Sequence, residues 1–259
     1  IQKVDLASFC YLNKERYPFL LESVNHNENN RYSILFAFPK ESIVLRDFSD
    51  FDFLNELESH CKQKSHDSSL PFTGGWFVYL SYELIGQIEP SLASKLHKSN
   101  IPIAYAVKIP SAVITDHKLE KTFIVDEDGD DTRINQILSD VKALENIPDE
   151  TIDGEISEEN EKKFTDGVKS SLDYIVAGDV FQVNLSRKWS YSLNSKQDSA
   201  TIYKKLKKAN PAPFSALIQY ENFSIISSSP ERLFSVNGGT LETRPIAGTH
   251  PRGKGRLDD

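Results

Sequence analysis

At Gly178 the spacing of apolar residues changes from about 3.6 to about 2, and that switch most restricts the folds open to this chain. Ahead of it, Phe164, Val168, Leu172 and Ile175 recur at helical spacing, with Ser157 read as the N-cap and Glu158 and Glu159 in the first turn. Beyond it, Phe181, Val183 and Leu185 alternate with Gln182, Asn184 and Ser186, which predicts a strand with one polar face. A helix from Ser199 to Lys208 is broken by Asn210-Pro211-Ala212-Pro213. Two hairpins follow, Phe214–Tyr220 with Phe223–Ser228 and Leu233–Val236 with Thr240–Thr243.

The first half alternates in the same way. Arg31–Phe38 and Ser42–Arg46 read as paired strands, and Phe51–Lys64 as a helix carrying Phe53, Leu54, Leu57 and Cys61. Trp76–Gly86 is apolar almost throughout, so a strand buried on both faces is expected. Ala104–Thr115 and Lys121–Val125 flank a turn, and Asp131–Leu144 reads as a surface helix with Ile134, Ile137, Leu138 and Val141 facing inward. Antiparallel strands beside segregated helices describe an α+β sandwich, and the lack of a strand, GxGxxG and helix unit argues against a nucleotide fold. The acidic stretch 147–156, with Pro148 and Gly154, reads as a linker between regions 1–146 and 157–259.

Charge and cysteine content remove several classes of function. With a net charge of -8 the chain is a poor nucleic-acid partner, and its one basic cluster, Lys204–Lys208, reads as the wet face of a helix. Cys10 and Cys61 lack metal-ligand spacing, and reduced thiols fit a cytoplasmic protein. No apolar run approaches the roughly 18 residues of a membrane span, so no membrane partner is expected. The chain contains no methionine. That absence, and a motif-rich segment close to Asp259, read as an incomplete copy of a longer protein.

Three segments could carry chemistry. Gln182 belongs to a face of amides and hydroxyls that could hold a small polar ligand without adding charge, or could simply face solvent. In Ser228-Ser229-Pro230-Glu231-Arg232 a proline turn sets a carboxylate beside a guanidinium. That pair is either a surface ion pair or a general acid or base in Glu231, provided burial adjusts its pKa. In Thr243–Gly253, the run around Ala247, Gly248 and Thr249 lies between Arg244 and Arg252, and close backbone approach there suits capture of a carboxylate better than a plain turn.

GDVFQVNLSR (178–187), SSPERL (228–233) and TRPIAGTHPRG (243–253), in this order, resemble the chorismate-utilising enzymes. This family includes the component I chains of aminodeoxychorismate synthase and anthranilate synthase, and isochorismate and salicylate synthases. Weaker likeness at Tyr17–Ser23, Arg31–Pro39 and Gly74–Leu84 extends over nearly the whole chain. The resemblance implies two antiparallel β-sheets packed as a sandwich with helices outside. Isochorismate- and salicylate-forming members carry a lysine base where this chain has Gln182, so the likeness points to the ammonia-using branch. Glu231 would be the acid-base residue, with Ala247, Gly248 and Thr249 binding substrate.

Asn210–Ala216 (NPAPFSA), Asn184 and Gly74–Leu84 resemble aminodeoxychorismate synthase, which makes 4-amino-4-deoxychorismate for 4-aminobenzoate and folate. Ala247 stands where well-studied members of that group have a lysine, and PIAGT is the anthranilate-synthase form. A gap beside Ala247 would let ammonia add directly. The alternatives are therefore an anthranilate synthase component I, or a non-catalytic effector-binding and docking piece of such an enzyme. The resemblance further implies Mg2+, with its glutamate ligands outside this chain, and a glutamine amidotransferase partner. It also implies a tryptophan pocket at Leu21, Glu22, Ser23 and Pro211, a segment that reads equally well as plain core.

Overall fold

The computed structural model describes residues 4–25, 30–61, 69–96, 100–246 and 248. Contacts divide the chain into a larger unit, built from residues up to 148 and from 199 onward, and a smaller one, 149–198. In the larger unit α1 (Leu6–Leu12) precedes β1 (Phe19–Glu22), β2 (Tyr32–Ala37), β3 (Ser42–Leu45), α2 (Phe53–His60), β4 (Gly75–Leu80) and α3 (Ile85–Ile88). After them come β5 (Ala104–Ile109), β6 (Ser111–Asp116), β7 (Lys121–Asp126) and α4 (Asp131–Ala143). The smaller unit holds β8 (Gly154–Glu158), α5 (Glu161–Ala177) and β9 (Trp189–Leu193). The chain returns with α6 (Ser199–Ala209), β10 (Phe214–Tyr220), β11 (Phe223–Ser229), β12 (Ser235–Asn237) and β13 (Thr240–Glu242).

Two antiparallel sheets form the sandwich. One runs β11-β10-β1-β2-β6-β7 and the other β3-β5-β4. Because successive strand residues face opposite ways, neighbouring apolar residues serve two cores. Phe19, Phe36, Ala216 and Ile218 meet Phe77, Tyr105, Val107 and Ile109 between the sheets. Leu20, Leu35, Val113 and Leu217 point the other way, onto Phe9, Cys10, Ile137 and Tyr203 of the outer helices. Each large apolar side chain so buried stabilises by about 1.5 to 3 kcal/mol. The two faces share a register, since Phe19 lies opposite both Ile218 and Phe36, and Leu20 opposite both Leu217 and Leu35.

Several expectations are corrected. The strands at 31–38 and 42–46 are not paired with each other; β2 joins β1 and β6, and β3 joins β5 in the other sheet. The stretch 104–115 is two strands, because Pro110 cannot donate to a ladder and the chain changes sheets there. β4 is not buried on both faces. It edges its sheet, Val78 and Leu80 are exposed, and the chain turns helical from Tyr82.

The Lys204–Lys208 face is only partly wet. Lys204 donates to the Ile147 carbonyl at 2.5 Å, and Lys207 pairs with Asp5 at 2.9 Å and Glu22 at 3.2 Å. Nor is 147–156 a free linker, since Ile147 enters the core of the larger unit and residues 154–156 belong to β8. Residues 157–259 do not form one block either, because β10 pairs along β1.

In the smaller unit β8 and β9 pair antiparallel, from Gly154 opposite Leu193 to Glu158 opposite Trp189. Ser157 is in that ladder and cannot cap. Asn160 caps α5 instead, its side chain accepting from the Lys162 amide at 2.8 Å. Gly178 closes the helix as expected, at φ 82, the left-handed conformation glycine adopts without strain. Residues 180–188 belong to no strand and have no ladder partner among the described residues, so the predicted strand is absent there. Leu172 and Ile175 of the expected buried stripe are exposed, and no α5 residue is buried.

Candidate active site

β11 carries the chain to the SPER turn. It pairs with β10 over its full length, from Phe223 opposite Tyr220 to Ser229 opposite Phe214. At its end the Ser229 hydroxyl donates to the Glu231 carbonyl at 3.1 Å, and the Glu231 amide points back to that hydroxyl at 3.4 Å. Pro230 lies inside this bridge and stiffens it. The Ser228 hydroxyl donates to the Asn210 carbonyl, tying the same turn to the end of α6.

The hairpin β12–β13, turned by Gly238 and Gly239 at φ 55 and 78, then returns the chain toward Glu231. The Thr243 hydroxyl donates to the Leu233 carbonyl at 3.0 Å. The Ile246 amide donates to Glu231 Oε1 at 3.3 Å, so the carboxylate is joined to the segment that begins the PIAGT motif. Gly248 is exposed, and among the described residues a Cβ built on it would meet nothing within 4 Å, which leaves its backbone open to a ligand. Ala247, Thr249 and Arg252 lie outside the described residues.

Arg244 does not stand ready for an anion as its sequence position suggests. Its Nε pairs with Glu242 at 2.5 Å, while Arg232 sits 3.7 Å from the same carboxylate and over the Phe214 ring. Gln182 belongs to the smaller unit. It is exposed, with its Nε2 3.5 Å from Asn184 Oδ1. The assembled part of the site among the described residues is thus Glu231 with the Ile246 amide. A half-buried carboxylate can exchange a proton with a bound ligand.

The expected effector segment borders a cavity of about 270 Å3 lined by Leu21, Glu22, Ser23, Tyr32, Phe214 and Arg232, among others. Ser23 is fixed by two bonds, its amide to Ser33 Oγ at 3.0 Å and its hydroxyl to the Tyr32 carbonyl at 2.9 Å. Glu22 accepts the Tyr203 hydroxyl at 2.7 Å as well as Lys207. Pro211 is exposed and does not line this cavity; Pro213 does. The resemblance implies Pro211 for this pocket; the lining proline is Pro213, which directly precedes β10. Arg232 was read only as the ion-pair neighbour of Glu231, and its place in the cavity wall had no sequence signal.

Among the described residues no group of three or more His, Cys, Asp or Glu side chains could hold a metal ion. The implied Mg2+ therefore has no ligand set there, and the chemistry of Glu231 is not routed through it. Neither cysteine forms a disulfide; Cys10 is buried and Cys61 exposed. No helix among the described residues is long and apolar enough to cross a membrane.

Sheet order, outer helices and a carboxylate turn joined to a terminal glycine segment define an α+β enzyme scaffold. The chain belongs to the chorismate binding enzyme family, whose pattern matches residues 16–259. It is 30% identical over 245 residues to an anthranilate synthase component I-like protein of Synechocystis, covering 92% of this chain and 50% of that one. It is 32% identical over 232 residues to aminodeoxychorismate synthase component 1 of Bacillus subtilis, covering 85% and 48%. The chain thus spans about half the length of these curated relatives. The fold matches that of anthranilate synthase component I from Streptococcus pneumoniae with a TM-score of 0.67 at 24% identity, over 83% of this chain and 54% of that one.

Proposed function

We propose that the protein carrying this chain aminates chorismate to 4-amino-4-deoxychorismate, using ammonia delivered by a glutamine amidotransferase partner. The observation that carries this reading is the Ile246 amide on the Glu231 carboxylate, which couples the SPER turn to the PIAGT segment. As the carboxylic acid, Glu231 protonates the allylic oxygen, which leaves as water while ammonia bonds to the ring and returns a proton to the carboxylate; the open backbone at Gly248, with Thr249, receives a substrate carboxylate. Gln182 is amphoteric in hydrogen bonding but is no base, which favours ammonia over water as the nucleophile. The 32% identity to the Bacillus subtilis aminodeoxychorismate synthase supports the same product.

Ala247 and the anthranilate-synthase relatives favour a second reading, in which the product is anthranilate. One assay separates the two. With chorismate, ammonium and magnesium, fluorescent anthranilate sinks the first reading. 4-Aminobenzoate that forms only after a downstream lyase is added sinks the second. In either case Glu231→Gln should lower turnover by about 10² to 10⁴, with an unfolding free energy from urea denaturation within about 0.5 kcal/mol of the parent. Full activity of that variant would remove Glu231 from the chemistry.

The cavity beside Leu21, Glu22 and Ser23 is proposed to take tryptophan. A calorimetric titration that gives no heat would remove that assignment.

A further inference from the structure

A cavity of about 360 Å3 opens where β10 runs into its turn toward β11, and it shares no lining residue with the cavity beside Leu21. Its wall is drawn from 14–19, 39–42, 107 and 219–221, segments described without a break. Pro18, Phe19, Pro39, Val107 and Tyr220 make much of that wall apolar. Phe38, next to Pro39, and Glu221 hold left-handed backbone at φ 57 and 50 although neither is glycine. Such conformations persist only where the surroundings fix them, so the wall is held in place.

Gln219 also lines the cavity and is 7% exposed. Its main-chain amide donates to the Pro18 carbonyl at 2.8 Å. Its side chain differs, because Nε2 and Oε1 are both buried with no hydrogen-bond partner among the described residues. A donor and an acceptor thus carry their desolvation penalty together until something pairs with them. The terminal torsion of glutamine is broad, so this amide can turn to a ligand in the cavity without a strained rotamer. The other polar groups of the wall select no ion. The Tyr220 hydroxyl is hydrogen-bonded to Ser42, Glu221 holds Arg46 at 2.6 and 2.7 Å, and Lys40 lies 3.9 Å from Asp128. Lys14 and Glu15 are exposed and opposite in sign. A carboxylate would bring acceptors alone and leave Gln219 Oε1 unpaired, and an ammonium would leave Nε2 unpaired. A primary carboxamide presents acceptor and donor side by side and serves both atoms.

We propose that this cavity binds a small neutral aryl carboxamide, its amide paired with that of Gln219 and its ring against Pro18, Pro39 and Tyr220. The test is calorimetric titration of the protein carrying this chain with benzamide. N,N-Dimethylbenzamide serves as the analogue that keeps the carbonyl and loses both N–H donors. One-site saturation by benzamide is expected, with the dimethyl analogue weaker by about tenfold or more. Gln219→Leu should weaken benzamide binding by about tenfold and shrink its advantage over the analogue to about threefold or less. The melting temperature of that variant should be unchanged or raised, because an apolar side chain replaces an unpaired amide. Equal affinity for the two ligands, undiminished binding by Gln219→Leu, a lowered melting temperature of that variant, or no saturation of the parent protein at millimolar benzamide overturns the proposal.

Discussion

Asp140 receives the Tyr17 hydroxyl and Arg16 Nη1, each at 2.6 Å, and Gln136 Nε2 at 2.9 Å. Burial alone would raise its pKa, but these bonds outweigh burial and hold it below the ordinary carboxylate value. Asp126 is lowered in the same way, its burial outweighed by Arg133, Ser111 and the amides of Asp130 and Asp128. Both groups are depressed in the folded state. Their contribution is therefore present above the unfolded pKa of about 3.9 and is lost as pH falls below it toward the folded values. The urea midpoint should stay level down to about pH 5 and drop below about pH 4. Asp140→Asn should cost about 2 to 3 kcal/mol at neutral pH and flatten that acid limb; an unchanged limb would count against the linkage. Tyr105 offers the opposite case. Its ring is stacked between Tyr79 and Tyr220, yet its buried hydroxyl has no partner. Tyr105→Phe should raise stability by about 1 kcal/mol in urea denaturation, and a comparable loss would show that the hydroxyl is paired. Asp140 was legible as a position on a predicted helix, but Arg16 and Tyr17 are 124 and 123 residues away along the chain, beyond the reach of any local pattern.

At the level of elements, α5 shows how two local preferences compete. Ser157 and Asn160 are both good caps, and the sequence alone favoured Ser157 because acidic residues follow it. Pairing of Ser157 with Ser190 assigns that residue to β8 and leaves Asn160 to satisfy the helix amides. Asn160→Ala should cost about 1 kcal/mol, whereas Ser157→Ala should change stability by less than about 0.5 kcal/mol. Paired melting curves followed by circular dichroism check this, and the reverse order would restore Ser157 as the cap. The Gly178 stop and the hairpin Phe214–Ser229 were legible because each depends on a few adjacent residues. The strand predicted at 181–186 was not realised, because alternation specifies which way side chains face but supplies no partner for the main-chain hydrogen bonds.

For the whole molecule, the larger unit is closed by segments distant in sequence. β1 is hydrogen-bonded on one side to β2 and on the other to β10, and Ala200, Tyr203 and Leu217 complete a core begun by Phe9 and Leu20. A piece consisting of residues 1–148 should therefore expose apolar surface. It is expected to bind a hydrophobic dye and to unfold without a cooperative transition, and a sharp urea transition would show that the first 148 residues close a core unaided. The candidate site depends on the same closure, because β11 carries the SPER turn and is held along its length by β10. By itself the sequence determined the helices and strands with strong periods, the hairpin turns, and the motifs that led to the chorismate binding family, since these rest on neighbouring residues. Tertiary structure decided which strands share a sheet, where Pro110 divides one strand into two, which proline enters the cavity, and that the Ile246 amide meets Glu231. Those outcomes depend on burying two faces of one sheet at once and on pairing main-chain groups across long separations, and no local pattern encodes either.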